Sequence, residues 1–575
     1  MKQENKERGL LQQIRDFIRL VRRAKVPWYL FFLSFISDAL SATLFVKLPV
    51  LLGDIMQGEI FSGGEITQYG LMSLAQVAFA FFAVTVFNWV DLKIGISAGV
   101  GIWNKIIQLP MRALDREKPS TLTSRVTDDS AGISLTISGF FNCLSTLYTI
   151  VLVYIEMFKM SVSLSLILLA VPLWLVISMA IIGGMSARSQ QKIQDTLSAF
   201  TSYLSVRLPN MRIIKAFGMQ DKERELGDEK IETQYHASMV LVGVNALAYA
   251  LQSISTVICN VVVLVYGSYQ VATGSMDVGD LIAFFLFVTQ GDFASYSEML
   301  LMYYQNVRLG LGASAKIMEM MEMQDEQVER EKSFTVPEGE LAFNHVTFAY
   351  EERPVLKDVS FSIPSGKTTA IVGTNGSGKT TLLKLLERFY SPDSGEITYG
   401  GENIERFHLN EWRDSVGYVV QNSPLLKGTV AENIAYGMEQ PQQEKIEQAA
   451  KEAGAYDFVM KMDKAFQSEV GELGGQLSGG QRQKLAIARA LVAHPDMVLL
   501  DEATCGLDAC SERELQDTLG NTLAGKTVVM VAHSVDAVRN ADQIVVLDQG
   551  QVVGTGNHES LLESCEAYRK FCAIA

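Results

Sequence analysis

The sequence Gly373-Thr374-Asn375-Gly376-Ser377-Gly378-Lys379-Thr380 fits the pattern G-x-x-x-x-G-K-[S/T] of a phosphate-binding loop. It lies between an apolar run at 369–372, typical of a buried strand, and a stretch from Thr381 to Leu386 that is typical of the start of a helix. Glycines let successive backbone amides turn toward one anion, and the helix N-terminus adds its positive dipole end. The pattern predicts that Lys379 balances the charge of the β- and γ-phosphates and that Thr380 offers a hydroxyl to Mg²⁺.

The composition divides this chain of 575 residues into an apolar part, residues 28–306, and a remainder with the pattern of a soluble domain. The formal net charge of −15 argues against nucleic acid as the main partner. The six cysteines include no C-x-x-C pair and no zinc-type spacing with histidine. We expect the four cysteines outside the apolar part to be reduced thiols that face the cytoplasm.

Several apolar runs are long enough to cross a membrane, which takes roughly 20 residues in a helix. Six such runs lie at about 28–52, 71–98, 133–157, 162–185, 239–266 and 279–303. We therefore predict an α-helical membrane domain of six transmembrane helices at 1–310, a linker at 311–340 and an α/β P-loop ATPase domain at 341–575.

Lysine and arginine concentrate in two long connections, between the second and third runs and between the fourth and fifth. The loop at 53–70 contains acidic residues and neither lysine nor arginine. Because positive charge favours the cytoplasmic side, we expect a multi-pass protein of the cell membrane with both termini and the ATPase domain in the cytoplasm. The tips of the connections, near Leu114–Leu122 and Asn210–Gly218, are expected to contact that domain.

Ionisable residues are costly inside a bilayer and usually face a bundle interior or water. Those in the predicted spans include Asp38, Lys47, Asp292 and Glu298. On the sixth span, helical spacing places four side chains on one face: Asp292, Tyr296, Met299 and Tyr303. One hypothesis is that this face lines a substrate pathway, and the alternative is ordinary packing between helices.

The second half of the chain alternates apolar strands with helical stretches, which predicts a mainly parallel sheet with helices around it. Each predicted strand ends in polar side chains, where ligands bind in such folds. The strand 341–350 ends at Tyr350, 416–420 at Gln421, 497–500 at Asp501 and Glu502, and 527–532 at His533. The stretch Leu477-Ser478-Gly479-Gly480-Gln481 opens a further helix.

The ordered set of motifs resembles the ATPases of ABC transporters: Gly373–Thr380, Gln421, Leu477–Gln481, Asp501–Glu502, Asp508 and His533. The six preceding spans resemble an exporter-type half-transporter, with Ser124–Asp129 and Ile214–Phe217 matching its cytoplasmic connections. Two positions depart from the family pattern. Cys505 lies in a segment where relatives usually have Ser-Ala, and Ser534 stands where arginine is common.

The resemblance implies a role for each motif. Tyr350 would stack on adenine, and the loop from Gly373 through Thr381 would hold the phosphates of ATP. Thr380, Gln421 and Asp501 would organise Mg²⁺. Glu502 would be the general base or the residue that orients the attacking water, and His533 would contact the γ-phosphate. Ser478, Gly479, Gly480 and Gln481 would contact the ATP held by the opposite subunit, so that two domains enclose two nucleotides.

As a whole, the resemblance implies ATP-driven transport by alternating access, with export of an amphipathic, lipid-like or peptide substrate. The partner would be a second half-transporter. A homodimer is favoured because Glu502, His533 and the 477–481 motif are intact, although a heterodimer stays open. Two other functions also stay open at this point. One is a siderophore-type importer with an exporter fold, and the other is an ATP-gated channel or regulatory subunit.

Overall fold

The computed structural model describes residues 10–23, 26–57, 63–290, 293–326, 332–336, 339–421, 424–438, 440–503, 515, 518–532 and 534–574. The chain divides into two compact units. The helical unit comprises Met1–Ile107 and Lys118–Met323, and the α/β unit comprises Gln108–Glu117 and Gln324–Ala575. A short piece of the first long connection therefore belongs to the same unit as the phosphate loop.

Helices account for nearly all of the described chain up to Glu322. They are α1 (Leu10–Arg23), α2 (Trp28–Gln57), α3 (Gly63–Gln108), α4 (Met111–Leu114), α5 (Pro119–Ser124), α6 (Ser130–Met160), α7 (Val162–Leu168), α8 (Ala170–Arg207), α9 (Met211–Ala216), α10 (Gln220–Ala272), α11 (Val278–Gln290) and α12 (Phe293–Glu322). A π-helical turn, Arg125–Asp129, joins α5 to α6. Of these helices, α4 lies in the α/β unit.

Four helical stretches in the described chain are long and apolar enough to cross a membrane: α2, α3, the run from α5 through α6, and α10. The predicted span at 162–185 is divided between α7 and α8 around Leu169. Ser161 begins α7 as its N-cap, because its hydroxyl accepts from the amide of Leu164. The predicted span at 279–303 falls in α11 and α12, and residues 291–292 between them lie outside the described residues. The count of six spans stays a prediction.

The last helix of the helical unit, α12, continues past residue 310 to Glu322. The first part of the predicted linker is therefore helical. Other long helices also extend beyond their apolar runs, and α10, which covers 53 residues, does so at both ends. A helix satisfies its own backbone hydrogen bonds in lipid and in water alike, so apolar sequence marks the lipid-facing part of a helix but not its ends.

Small and hydroxylated residues bring the helices of this unit close together. Ser34, Ser37 and Ser41 on one face of α2 donate to backbone carbonyls of α3 at 2.8, 2.9 and 3.2 Å. Gly53 of α2 and Gly279 of α11 are in backbone contact, since a Cβ placed on Gly53 would lie 2.4 Å from the Gly279 carbonyl oxygen. Such residues allow the close approach on which helix association in lipid depends.

The α/β unit contains two sheets. The first has four strands in the order β2-β1-β4-β5: β1 (Leu341–Tyr350), β2 (Arg353–Ile363), β4 (Ser394–Tyr399) and β5 (Glu402–Asn403). The second has six strands in the order β10-β9-β3-β8-β7-β6: β3 (Thr368–Gly373), β6 (Val416–Val419), β7 (Met497–Asp501), β8 (Thr527–Val531), β9 (Gln543–Asp548) and β10 (Gln551–Gly556). The second sheet is parallel except for β10.

Helices of the α/β unit follow these strands. They are α13 (Lys379–Leu386), α14 (Leu409–Asp414), α15 (Val430–Ile434), α16 (Gln443–Glu452), α17 (Tyr456–Met460), α18 (Gly479–Leu491), α19 (Val535–Arg539), α20 (His558–Ser564) and α21 (Glu566–Ile574). Two apolar clusters lie on the two faces of the parallel sheet, one including Leu382 and Trp412 and the other including Val498 and Leu485. The predicted fold class, a helical membrane domain with an α/β P-loop domain, is confirmed.

The contact between α6 and α12 leads to a stability prediction. A Cβ on Gly310 would lie 1.5 Å from the Thr136 hydroxyl oxygen and 2.4 Å from the Gly132 carbonyl oxygen, whereas nothing lies within 4 Å of one on Gly312. We expect Gly310→Ala to destabilise the helical unit by about 1–3 kcal/mol through overpacking. Thermal unfolding in lipid discs should show a lower apparent Tm for Gly310→Ala. The neighbouring Gly312→Ala should have the wild-type Tm or a slightly higher one, because alanine favours the helix more than glycine does. Equal Tm values for both variants would contradict the prediction.

Candidate functional site

The phosphate loop turns between β3 and α13, and glycine is required at its tightest points. Gly373, Gly376 and Gly378 have φ of 154°, 80° and 106°, values that other L-residues rarely adopt. A Cβ on Gly373 would lie 2.0 Å from the carbonyl oxygen of Leu547 on the neighbouring β9. A Cβ on Gly378 would lie 2.7 Å from Leu356 Cδ2. Close contacts with neighbouring strands therefore require glycine at these positions of the loop.

Two side chains of the loop present polar groups for an anion. Lys379 is the first residue of α13, and its Nζ donates to the carbonyls of Gly373 and Thr374 at 3.0 and 3.1 Å. Burial lowers the pKa of Lys379, while the carboxylates of Glu502 and Asp501 raise it. The buried Ser377 hydroxyl has no hydrogen-bond partner among the described residues. An orphaned donor of this kind is costly, and a phosphate oxygen would satisfy it.

Two hydrogen bonds connect side chains at the strand ends and at the start of α13. Thr380 Oγ1 donates to Asp501 Oδ1 at 3.0 Å, where Asp501 ends β7. Gln421 Nε2, just beyond β6, donates to Glu502 Oε2 at 2.7 Å. Glu502 has φ of 53°, the left-handed region, and its amide donates to the carbonyl of Val531 on β8. The sheet thus brings together four residues that the sequence predicts to act together.

The donor set at this edge of the sheet suits Mg²⁺. The Thr380 hydroxyl, the Asp501 carboxylate and the Gln421 amide all carry hard oxygen atoms, which this ion prefers. Burial raises the pKa of Asp501, and the hydrogen bond from Thr380 lowers it. Within the ranges that the structure describes, no cluster of three or more His, Cys, Asp or Glu side chains could hold a metal by itself.

Tyr350 lies beside the start of α13. Its hydroxyl is 3.5 Å from Thr381 Oγ1, and Lys384 Nζ lies 5.7 Å from the centre of its ring. The ring is half-buried and stands nearly perpendicular to the rings of Phe348 and Tyr390, at 4.9 and 5.2 Å between centroids. An aromatic ring is thereby held in a fixed orientation within reach of the phosphate loop.

The 477–481 motif forms the start of α18. Ser478 Oγ accepts from the amide of Gln481 at 3.3 Å, and Gln481 Oε1 accepts from the amide of Ser478 at 3.0 Å. This reciprocal capping box satisfies two backbone amides at the start of the helix with side chains of the motif itself. Ser478 and Gly479 are exposed, so the motif is presented at the surface of the α/β unit.

Several predicted residues lie outside the described residues: His533, Asp508, Cys505 and Asp292. On the helical unit, Asp38 is half-buried and accepts a hydrogen bond from Ser145 of α6, whereas Lys47 is exposed. Tyr303 is buried and Met299 is exposed. The face that carries them is therefore not uniform, and its role in a substrate pathway stays a prediction.

Sequence reasoning missed four residues around these sites: Asp91, Glu387, Tyr390 and Tyr418. Asp91 accepts from Ser138 inside the helical unit. Burial first, and then the charge of Asp501, raise the pKa of Tyr418. Tyr390 and Glu387 follow α13 directly, and only the folded chain shows their neighbours. For Asp91, the signal was available, because a carboxylate in an apolar run marks a polar contact.

Glu387, the C-cap of α13, is 4% exposed, and its Oε1 has no hydrogen-bond partner in the described part of the chain. Burial raises the pKa of this carboxyl to about 8, against the opposing charge of Arg413. The end of the phosphate-loop helix therefore carries a carboxyl that is largely protonated at neutral pH.

Comparisons with known proteins agree with this geometry. The family model described as ABC transporter matches residues 356–505, and the model described as ABC transporter transmembrane region matches residues 28–291. The chain is 29% identical over 570 residues to a multidrug resistance ABC transporter ATP-binding and permease protein of Lactococcus lactis subsp. lactis, covering 97% of this chain and 95% of the relative. It is 32% identical over 511 residues to an ATP-dependent lipid A-core flippase of Photobacterium profundum, covering 88% and 86%.

Among solved structures, the fold is similar to a bacterial Atm1-family ABC exporter with ATP bound, with a TM-score of 0.81 and 24% identity over 94% of this chain and 98% of that one. A helical membrane domain and a P-loop ATPase domain in one chain define the half-transporter class. This chain belongs to the ABC transporters, as an exporter-type half-transporter whose ATP hydrolysis is coupled to transport across a membrane.

The buried carboxyl of Glu387 predicts a pH dependence of stability. Because its folded pKa of about 8 exceeds that of the unfolded chain, the unfolded state binds fewer protons between roughly pH 4.5 and 8. The stability from this group is thus complete below pH 4.5 and is lost as the pH rises through 8. We expect Glu387→Gln to unfold near the wild-type temperature at pH 5, but roughly 5 °C higher at pH 8.5.

Differential scanning fluorimetry in lipid discs across this pH range measures the effect. Glu563→Gln, on the exposed side of α20, is the matched control and should follow the wild type at every pH. Parallel curves for Glu387→Gln and the wild type would show that the carboxyl is ionised in the folded protein.

Proposed function

We propose that ATP binds at the loop from Gly373 to Thr381, with its base against Tyr350 and its phosphates on the loop amides and Lys379. The observation that carries this proposal is the pair of hydrogen bonds Thr380–Asp501 and Gln421–Glu502. The first joins the end of β7 to the phosphate loop, and the second joins the end of β6 to that of β7. A Mg²⁺ ion held there by Thr380, Gln421 and Asp501 would offset the charge that develops on the transferred phosphoryl group.

Glu502 is the proposed general base. Its carboxylate is fixed by Gln421 on one side and by its own left-handed backbone on the other, so it can take a proton from an attacking water at a defined position. Lys379, whose Nζ now donates to loop carbonyls, would turn its charge to the phosphates. His533 would contact the γ-phosphate. Positioning and electrostatic stabilisation supply most of the catalysis in such a site.

We further propose that Ser478, Gly479, Gly480 and Gln481 contact the ATP of a second subunit, and that this subunit is another copy of the same chain. The exposed start of α18 supports the proposal, because the N-terminus of a helix is a favourable place for an anion. Two chains would then enclose two ATP molecules. ATP binding would favour the closed state by its higher affinity for that state.

The proposed cargo is an amphipathic, lipid-like molecule, a drug or a peptide, exported from the cytoplasmic side. The names of the relatives, for multidrug resistance and for lipid A-core, support an amphipathic substrate and export. Polar groups inside the helical unit, such as Asp38 with Ser145 and Asp91 with Ser138, offer hydrogen-bonding sites among apolar helices. Both termini and the ATPase domain are proposed to lie in the cytoplasm.

The test is Mg-ATP hydrolysis by the chain purified alone in lipid discs. We expect Glu502→Gln to lower kcat by about 100-fold or more, because general-base catalysis contributes at least that factor. The same exchange at Glu444, on an exposed face of α16, should leave kcat unchanged. Adding lipid-type, drug-type and peptide cargoes to the active protein would then show which class raises the rate.

The outcomes separate the parts of the proposal. An inactive wild-type chain would overturn the homodimer, and co-purification would then identify the missing subunit. Normal activity of Glu502→Gln would overturn the role of Glu502 but not the nucleotide site. Stimulation by none of the cargo classes would overturn the proposed substrates.

A further inference from the structure

We propose that the segment Gln108–Glu117, which precedes α5, positions Tyr350 through Tyr390 and thereby sets how well the site binds the base of ATP. The inference rests on the proposed function, in which Tyr350 stacks on adenine. It assigns Tyr390 and Asp115 as positioning residues, since neither is proposed to touch the nucleotide.

The first step is the contact between aromatic rings. Tyr390 is 8% exposed and Phe348 is 1% exposed, so both rings are fixed by the core of the α/β unit. Tyr350 stands perpendicular to each, at 87° to Tyr390 and 86° to Phe348. Edge-to-face arrangements of this kind are favourable and define the orientation of a ring. The plane that Tyr350 offers to a base therefore depends on where Tyr390 lies.

The second step is what holds Tyr390. Its hydroxyl donates a hydrogen bond to the carboxylate of Asp115, the C-cap of α4. Burial and the Asp115 carboxylate raise the pKa of Tyr390, so the phenol keeps its proton as the donor. A buried hydroxyl bonded to an ionised acceptor is among the stronger neutral-donor contacts in proteins.

A second contact reaches the same turn. Arg116 Nε lies 3.5 Å from a carboxylate oxygen of Glu351, the residue after Tyr350. Both side chains are more than half exposed, at 60% and 71%, and an exposed ion pair of this kind contributes little. The Tyr390–Asp115 bond, rather than this ion pair, is therefore expected to dominate.

The segment is also fixed at its other end. The amide of Glu326 donates to the Gln108 carbonyl at 2.7 Å. Glu326 also receives two hydrogen bonds from the Arg413 guanidinium, at 3.0 and 2.8 Å. Arg413 in turn donates to the carbonyls of Glu387 and Arg388, in the turn that leads to Tyr390. The segment and the aromatic cluster thus form one hydrogen-bonded assembly, so movement of the segment would move the ring that supports Tyr350.

The experiment is steady-state hydrolysis of ATP and of CTP by the full-length chain in lipid discs. Tyr390→Phe keeps the ring and removes its hydroxyl, and Asp115→Ala removes the acceptor. We expect each to raise the KM for ATP by about 3- to 10-fold, because the ring of Tyr350 is then less well oriented to stack on the base, with kcat within about twofold. Preference for ATP over CTP should fall, because a purine stacks over a larger area than a pyrimidine.

Three further variants sharpen the result. The double variant Tyr390→Phe with Asp115→Ala should be no worse than the more affected single variant, because both remove the same bond. Asp115→Asn keeps an oxygen acceptor and should restore most of the ATP affinity. Tyr399→Phe alters a buried tyrosine of β4 whose ring meets that of Trp412 edge to face. It is the matched control and should leave KM and base preference unchanged.

Tyr350→Ala separates this inference from the nucleotide assignment. A raised KM for Tyr350→Ala, with normal KM values for Tyr390→Phe and Asp115→Ala, would overturn the positioning role and leave the adenine site in place. Normal KM and base preference for Tyr350→Ala would overturn both. A fall in kcat alone for the Tyr390 and Asp115 variants would show a general structural role and would also overturn the inference.

Discussion

The closest steric constraint in the α/β unit is the approach of Gly373 to the carbonyl of Leu547, where a side chain of any size would collide with the backbone. This contact seats the end of β3 directly against β9, in the middle of the parallel sheet. From that fixed point the chain makes its left-handed turns and enters α13. The position of Lys379, of the Ser377 hydroxyl and of Thr380 follows from it, since each lies within a few residues of the glycine.

The neighbouring strands contribute the carboxylate and amide side chains that the phosphate loop does not contain. Because β3, β8, β7 and β6 are adjacent and parallel, their carboxyl ends come to one edge, and polar residues that are far apart in sequence become neighbours. Asp501 is 121 positions from Thr380, and Glu502 is 81 from Gln421, yet both pairs are hydrogen bonded. The site is in this sense a property of strand order as much as of any single motif.

The dependence of the site on both local motifs and strand order decides which of its parts can be predicted from sequence. Motifs with a fixed local pattern, such as the phosphate loop and the 477–481 helix start, carry their own geometry, because glycine and capping residues act over a few positions. Residues that depend on packing carry no such signal. Tyr390 meets Asp115 across 275 positions, and no spacing rule connects them. Glu387 has the sequence appearance of an exposed helix-end carboxylate, and only the surrounding core makes it a buried one.

For the helical unit, the apolar runs in the sequence predict which stretches face lipid, but they do not predict where one helix ends and the next begins. The run at 162–185 is divided into two helices at Leu169, and a hydropathy pattern does not register a helix boundary inside an apolar region. The polar pairs of Asp38 and Asp91 with serines of α6 could be anticipated only in part. A carboxylate in a span predicts that a polar partner exists, but the identity of the partner depends on how the helices pack.

The glycine contacts between helices also limit how the helices can move relative to each other. Gly53 meets Gly279 backbone to backbone, and Gly310 lies against the Gly132 carbonyl and the Thr136 hydroxyl, so no large side chain separates the helices at either point. Such a contact allows almost no relative movement, because sliding one helix along the other by a fraction of a residue would bring a bulkier side chain against the opposing backbone. The pairs α2–α11 and α6–α12 would therefore travel as rigid bodies in any conformational cycle. The sliding and hinging that carry a cargo across would be confined to helix faces that meet through longer, adjustable side chains.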